Sequence, residues 1–331
     1  MKRTYMALSA ILLMLTACSN SNEGQLSTAV PTQNPIAAES PITSPASSKQ
    51  SSKIEVPNPS PTPIASPHLV GSLDPKIANS KETVKPDHIV IVVEENHSYE
   101  KLVSNKAAPY MNTLAEQGAF FTHSYAVAHP SQPNYLVLFS GSNQGVTDDS
   151  CGHVFKTANL ASELVKANYS FAGYSEDLPS TGSMACTNHQ YGRKHSPWVN
   201  FSNVAKESNL PFNQFPKDYS KLPTVSFVIP NLDNDMHDGS IQTADGWLKT
   251  HIGSYITWAQ SHNSLLILTW DEDDSSKDNH IPTIFVGPMV KPGSYDQPIT
   301  HLNVLRTLEE MYKLPYLGGT SEVSAIQGIW K

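Results

Sequence analysis

The sequence predicts an α/β fold, a mostly parallel central sheet flanked by helices. Three observations predict it. Short runs dense in β-branched and other apolar residues recur along the chain, stretches with helical apolar spacing separate them, and acidic or polar clusters follow several of the runs directly. Continuous apolar runs mark strands covered on both faces, as in parallel sheets. In such sheets ligands gather beyond the carboxyl ends of the strands, so the residues after each run are the candidates for chemistry.

The first strand is the run His88-Ile89-Val90-Ile91-Val92-Val93, and a folded domain is expected from residue 86 to the end at 331. Further strands are expected over Ser170 to Tyr174, Thr224 to Ile229, Ser264 to Trp270 and Ile281 to Val286. Helical spacing falls between them, over Ala107 to Gln117, Asn159 to Lys166, Trp247 to Ser261 and Leu302 to Tyr312.

The segment ahead of the domain has a different character. Residues 1–17 place Lys2 and Arg3 before an apolar run, Ala7 to Leu15, too short to span a bilayer, and read as an export signal. Leu15-Thr16-Ala17-Cys18 resembles the lipobox of bacterial lipoproteins, which implies acylation of Cys18 and an exported protein anchored by lipid to a membrane of the cell envelope. Residues 18–85 are rich in Ser, Pro, Thr, Asn and Ala without apolar periodicity and are expected to form a disordered tether, stiffer over Pro57 to Pro67.

Composition narrows the function. With 331 residues and 39% apolar content the chain can build one catalytic-size domain. Its formal charge of −8 becomes −10 once the first 17 residues leave, since Lys2 and Arg3 go with no acid, and nucleic acid is not expected as a partner. Cys151 and Cys186 remain after Cys18 is set apart, and in an oxidising compartment the pair is expected to be bridged. Closing that loop would stabilise by about 4 kcal/mol in the chain-entropy model.

Three acidic clusters lie at strand ends: Glu94-Glu95-Asn96-His97-Ser98, Asn231-Leu232-Asp233-Asn234-Asp235-Met236-His237-Asp238-Gly239 and Asp271-Glu272-Asp273-Asp274. Any one of them alone reads as a solvated loop. Their shared placement suggests a cation site, and Glu95, Asn96, Asp271 and Glu272 make an oxygen-rich set for a divalent metal of open identity. Between the first two clusters, His129-Pro130-Ser131-Gln132-Pro133-Asn134-Tyr135 leads into an apolar helical segment. Ser131 near a helix N-terminus is either a nucleophile with phosphate held by backbone N–H groups, or simply a helix cap.

These motifs, with Tyr174-Ser175-Glu176-Asp177-Leu178-Pro179 and Tyr191-Gly192-Arg193-Lys194-His195-Ser196-Pro197, resemble in order those of the bacterial phosphoesterase family. That family comprises acid phosphatases, phosphatidylinositol-phosphate phosphatases and phospholipases C within the alkaline phosphatase superfamily. The resemblance runs from about Asp87 to Leu317 and implies an alkaline-phosphatase-like fold. It implies metal ligation by Glu95, Asn96, Asp271 and Glu272, and attack by Ser131 with a phosphoserine intermediate. His195 and His237 match histidines near the phosphate, and Asn96, Lys194 and His129 are the expected substrate contacts. Two-zinc relatives place a histidine directly after the aspartate, whereas Glu272 stands here. That departure argues for one metal, with Asp235, His280 and His301 left as candidates for a second. The expected activity is metal-dependent hydrolysis of phosphomonoesters, with phospholipase C or phosphatidylinositol-phosphate phosphatase activity as the runner-up. A lipid-anchored phosphate- or metal-binding protein is the rival from another class, and it would need no nucleophile.

Overall fold

A computed structural model describes residues 84–331. The expected signal segment, Cys18 and nearly all of the expected tether lie outside the described residues. In chain order the elements are β1 (His88–Glu94), α1 (Tyr99–Leu102), α2 (Pro109–Gln117), β2 (Ala119–Tyr125), α3 (Ser131–Ser140), α4 (Leu160–Lys166), β3 (Phe171–Ser175), a ribbon of β4 (Thr187–Asn188) and β5 (Tyr191–Gly192), β6 (Asn209–Pro211), β7 (Val225–Ile229), α5 (Ile241–Ala259), β8 (Ser264–Trp270), β9 (His280–Val286), β10 (Gly293–Tyr295), β11 (Ile299–Thr300) and α6 (His301–Tyr312).

The sheet runs β10-β2-β9-β8-β1-β7-β3-β6, with β11 also paired to β2. Its middle is parallel: β1 pairs with β8 and β7, and β7 with β3, all in the same sense. All five expected strands form, yet β9 runs antiparallel to both β8 and β2. The strand β2 was not anticipated, because its seven residues follow a helix after only Gly118 and carry Thr122, His123 and Ser124 within the run.

Alternation along β1 builds both faces of the sheet. Ile89, Ile91 and Val93 face a core shared with α3, α4 and α6, while Val90 and Val92 face one shared with α2 and α5. The two-sided burial is what the unbroken apolar run requires. Helix α5 begins at Ile241, six positions ahead of the expected Trp247, because Ser240 caps it by accepting the Thr243 N–H.

Helix α3 is buried along its whole length, from Ser131 to Ser140. Gly141 ends it with φ 69°, and its N–H donates to the Val137 carbonyl. A Cβ there would lie 2.0 Å from the Leu317 carbonyl oxygen, so both the backbone conformation and the close approach require glycine. The helix is thereby fixed against the chain that follows α6, with its first residue at the carboxyl edge of the sheet.

Candidate active site

Ser131 is the first residue of α3, not its cap: Pro130 holds the cap position and offers no side-chain acceptor. Its hydroxyl instead donates to Glu95 Oε2 at 3.1 Å. One helical turn later Tyr135 donates to Glu95 Oε1 at 2.6 Å. The i,i+4 spacing puts both hydroxyls on one helix face against a single buried carboxylate. Asn134 braces the turn before the helix, accepting the Val127 and Ala128 N–H groups at 3.0 Å each.

Glu95 leaves β1 on the α3 side of the sheet and is fully buried. The next residue, Asn96, sits at φ 50°, a left-handed conformation that asparagine tolerates, and its N–H donates to Asp271 Oδ1 at 3.0 Å. Asp271 follows β8 directly, and its own N–H reaches the Glu94 carbonyl at 3.0 Å. The parallel pairing of β1 and β8 therefore brings the first and third acidic clusters side by side. Glu272 comes next, and His129 meets it through Nδ1 at 2.9 Å from Oε2.

The second cluster enters from the loop after β7. Asp235 lies 3.5 Å from His195 Nδ1, and His195 Nε2 is 2.9 Å from Glu95 Oε1. The His195 ring stacks on Tyr135 at 5.0 Å. Asp235 also accepts the His237 N–H at 2.9 Å. Lys194 Nζ stands 3.4 Å from His237 Nε2 and 3.0 Å from Asp149 Oδ2. Ser131, Glu95, Asn96, Asp271, Glu272, His129, His195, His237 and Lys194 thus join one contact network. Of the three candidates for a second metal, only Asp235 belongs to it. His280 is spent on Glu100 and the Thr122 carbonyl, and His301 Nε2 lies 2.8 Å from the Trp270 carbonyl. Burial drives the His301 imidazole down to about 4, so it is neutral there.

Charge is distributed unevenly. Burial opposes charge on Glu95, but the adjacent His195 cation, the Tyr135 hydrogen bond and Lys194 outweigh it and hold the carboxyl at about 2. Burial likewise opposes charge on His195, and Glu95 and Asp235 override it, lifting the imidazole to about 9. Burial and then Glu95 push Asp271 well above the usual carboxylate range, with Glu272 adding to it. Burial, then Glu95 and Asp149, raise Glu272 to about 8.

Two groupings could therefore hold a cation. Among the described residues Glu95, His195 and Asp235 bring one ligand atom each within 4.8 Å of one another. That triad already contains a cation, the imidazolium. Glu272 meets the His129 ring, whereas among the described residues Asp271 Oδ2 is buried without a hydrogen-bond partner. A buried carboxylate in that condition is costly unless a cation neutralises it. The expected set of Glu95, Asn96, Asp271 and Glu272 offers the oxygen donors a hard divalent ion prefers, but its three carboxylates do not converge as closely as the triad does.

Two residues at the site escaped the sequence reading. Tyr135 could have been found from its i,i+4 spacing to Ser131. Asp149 has no such signal, being one of two acids in a loop next to Cys151. Cys151 and Cys186 are bridged as expected, with Cα atoms 5.9 Å apart.

A model of the Phosphoesterase family matches residues 103–315. The chain is 52% identical over 246 residues to the phosphatidylinositol-3-phosphatase of Mycobacterium tuberculosis, covering 73% of this chain and 82% of that protein. It is 31% identical over 245 residues to an acid phosphatase of Aspergillus fumigatus, over 68% of this chain but 54% of the fungal protein, so it spans about half that relative's length. Among solved structures, an alkaline phosphatase superfamily protein from Vibrio parahaemolyticus superposes with a TM-score of 0.51 at 12% identity, covering 73% of this chain and 71% of that one. Phosphonate monoester hydrolase from Silicibacter pomeroyi gives 0.50 at 11% identity, covering 74% and 78%. At these identities the likeness is one of fold, and the fold is that of the alkaline phosphatase superfamily. The sequence relatives carry more, and with the family model spanning most of the described residues, this chain belongs to the Phosphoesterase family.

Proposed function

We propose that this phosphoric ester hydrolase is a metal-dependent phosphomonoesterase of acid-phosphatase type, in which Ser131 attacks phosphorus and carries the phosphoryl group transiently. The observation that supports this most is the orientation of Ser131, whose hydroxyl turns from helix capping toward the carboxylates at the strand ends. Glu95, Asn96, Asp271 and Glu272 would hold a divalent ion, which when bound supplies charge neutralisation for the phosphoryl oxygens and lowers the pKa of a neighbouring hydroxyl. The fixed α3 holds Ser131 for in-line attack, replacing a bimolecular encounter by an oriented one. Lys194 and the Asn96 amide attract the phosphoryl oxygens. His195, buried between two carboxylates, keeps Glu95 ionised and oriented, while His237, partly open to solvent, protonates the leaving alkoxide. Water then hydrolyses the phosphoserine.

The mycobacterial relative supports a phosphoinositide as one such monoester, since removal of a ring phosphate is the same reaction. Export and acylation at Cys18 would set the enzyme at a membrane surface, where a lipid substrate is presented.

A panel of a soluble phosphomonoester, a phosphodiester and phosphatidylinositol 3-phosphate in mixed micelles, assayed before and after chelation, tests the reading. Monoesters should turn over, stop on chelation and resume with divalent ion. Preference for the diester, or undiminished turnover in chelator, would contradict it. Phosphate or metal binding without turnover of any ester would favour the binding-protein reading instead.

A further inference from the structure

Asp149 stands where neither the strand-end clusters nor the helix pattern would put a functional carboxylate. Its Oδ1 accepts the Gln132 N–H at 2.9 Å, the amide directly after Ser131 in the first turn of α3. Its Oδ2 pairs with Lys194 Nζ at 3.0 Å, and the same Nζ reaches His237 Nε2 at 3.4 Å. One carboxylate thus takes up two groups that would otherwise receive a phosphoryl oxygen beside the nucleophile: a first-turn N–H and the Lys194 ammonium.

This is not a loose surface pair. The side chains of Lys194 and Asp149 are 20% and 30% exposed, enough for an incoming anion to reach them. The segments that carry them are stapled by the Cys151–Cys186 bridge, two residues after Asp149. Arg193, next to Lys194, donates its own N–H to the Cys186 carbonyl at 2.9 Å and reaches the carbonyls of His153 at 3.3 Å and Met184 at 3.2 Å. An exposed ion pair on flexible side chains contributes little. Here both partners are held by a covalent and hydrogen-bonded frame.

We infer that Asp149 is a built-in competitor for the phosphate: its carboxylate occupies the anion position at Lys194 and the start of α3, yields it to substrate, and returns to help expel inorganic phosphate. The inference rests on the phosphatase reading above. Asp149 is a positioning residue, since it acts through Lys194 and Gln132 and makes no bond to the reacting atoms.

The sign of the predicted effect separates this role from a merely structural one. Asparagine at 149 keeps an oxygen for the Gln132 N–H but cannot neutralise Lys194. Calorimetric titration of inorganic phosphate into the metal-loaded enzyme should show Asp149→Asn binding about fivefold or more tightly than wild type, because a like charge has been removed from the anion's place. In steady-state assays the same variant should have a lower KM and stronger product inhibition. In a Lys194→Met background phosphate should bind more weakly, and Asp149→Asn should still tighten it, because the repelling charge and the occupied Gln132 N–H remain when the cation is gone. Asp149→Thr, which can also cap the helix, carries the same test if the asparagine variant folds poorly. Equal or weaker phosphate binding by a folded Asp149 variant, in an enzyme whose wild type hydrolyses the ester, overturns this inference alone. A wild type that neither hydrolyses phosphomonoesters nor binds phosphate overturns it together with the proposed function.

Discussion

Ser131 shows how much a single residue's chemistry depends on where its hydroxyl points. A capping serine would cost about 1 kcal/mol of stability on replacement and leave chemistry alone. Ser131 does not cap the helix but donates to buried Glu95 at 3.1 Å, so Ser131→Ala should cost about 1 kcal/mol, a few degrees in melting temperature, while abolishing most turnover. Tyr135→Phe removes the 2.6 Å hydrogen bond to Glu95 and leaves one oxygen of a buried carboxylate less well satisfied. It should cost about 1–3 kcal/mol of stability and lower kcat more than it raises KM, as measured by denaturant melts and steady-state kinetics. Asp271→Asn should lose divalent metal affinity, read by metal analysis, more than it loses stability, because its carboxylate is already poorly served without a cation. At this scale the sequence was informative wherever a residue followed a strand: Glu95, Asn96, Asp271 and Glu272 were placed by the sheet. Asp149 was opaque, since its partners at Gln132 and Lys194 lie 17 and 45 positions away and only tertiary packing joins them.

The elements explain which parts were legible. The parallel strands β1, β3, β7 and β8 were readable because burial on both faces forces continuous apolar runs. The sheet's outer side was harder to read. Strand β2 is buried over Ala119 to Phe121 and then opens at Thr122 and His123, breaking its apolar run, and the antiparallel sense of β9 leaves no mark in its composition. The loop carrying Asp149 and the segment carrying Lys194 contain little regular structure, and the Cys151–Cys186 bridge takes the place of sheet pairing between them. Replacing both cysteines with serine should therefore destabilise by about 2–4 kcal/mol and, on the proposed function, also alter KM, because the bridge joins the segments that carry Asp149 and Lys194. A loss of stability with no change in KM would show that the bridge serves the fold alone.

On the scale of the whole molecule, one carboxyl far from the proposed metal set predicts how stability follows pH. Glu309 on α6 is buried, accepting the Leu317 N–H and the Thr320 hydroxyl through Oε1 while Oε2 has no partner among the described residues. Burial dominates those hydrogen bonds and raises the carboxyl to about 7 from a usual 4.5. The folded state therefore holds the proton more tightly than the unfolded state. Its contribution is fully present below about pH 4.5 and is lost as pH rises through about 7. Glu309→Gln, which stays neutral, should melt increasingly above wild type between pH 5 and 8, and parallel pH curves for the two would contradict the assignment. The domain boundary expected near residue 86 predicts that a chain starting at Ser80 keeps its turnover on a soluble phosphomonoester, whereas loss of folding would show that the preceding residues are part of the domain. The central claim, that Ser131 becomes phosphorylated during turnover, is tested most directly by rapid acid quench of the metal-loaded enzyme with a phosphate-labelled monoester, followed by peptide mapping. The label should appear on the peptide containing Ser131 and vanish in Ser131→Ala. Near wild-type hydrolysis by Ser131→Ala with its metal bound would place the nucleophile elsewhere.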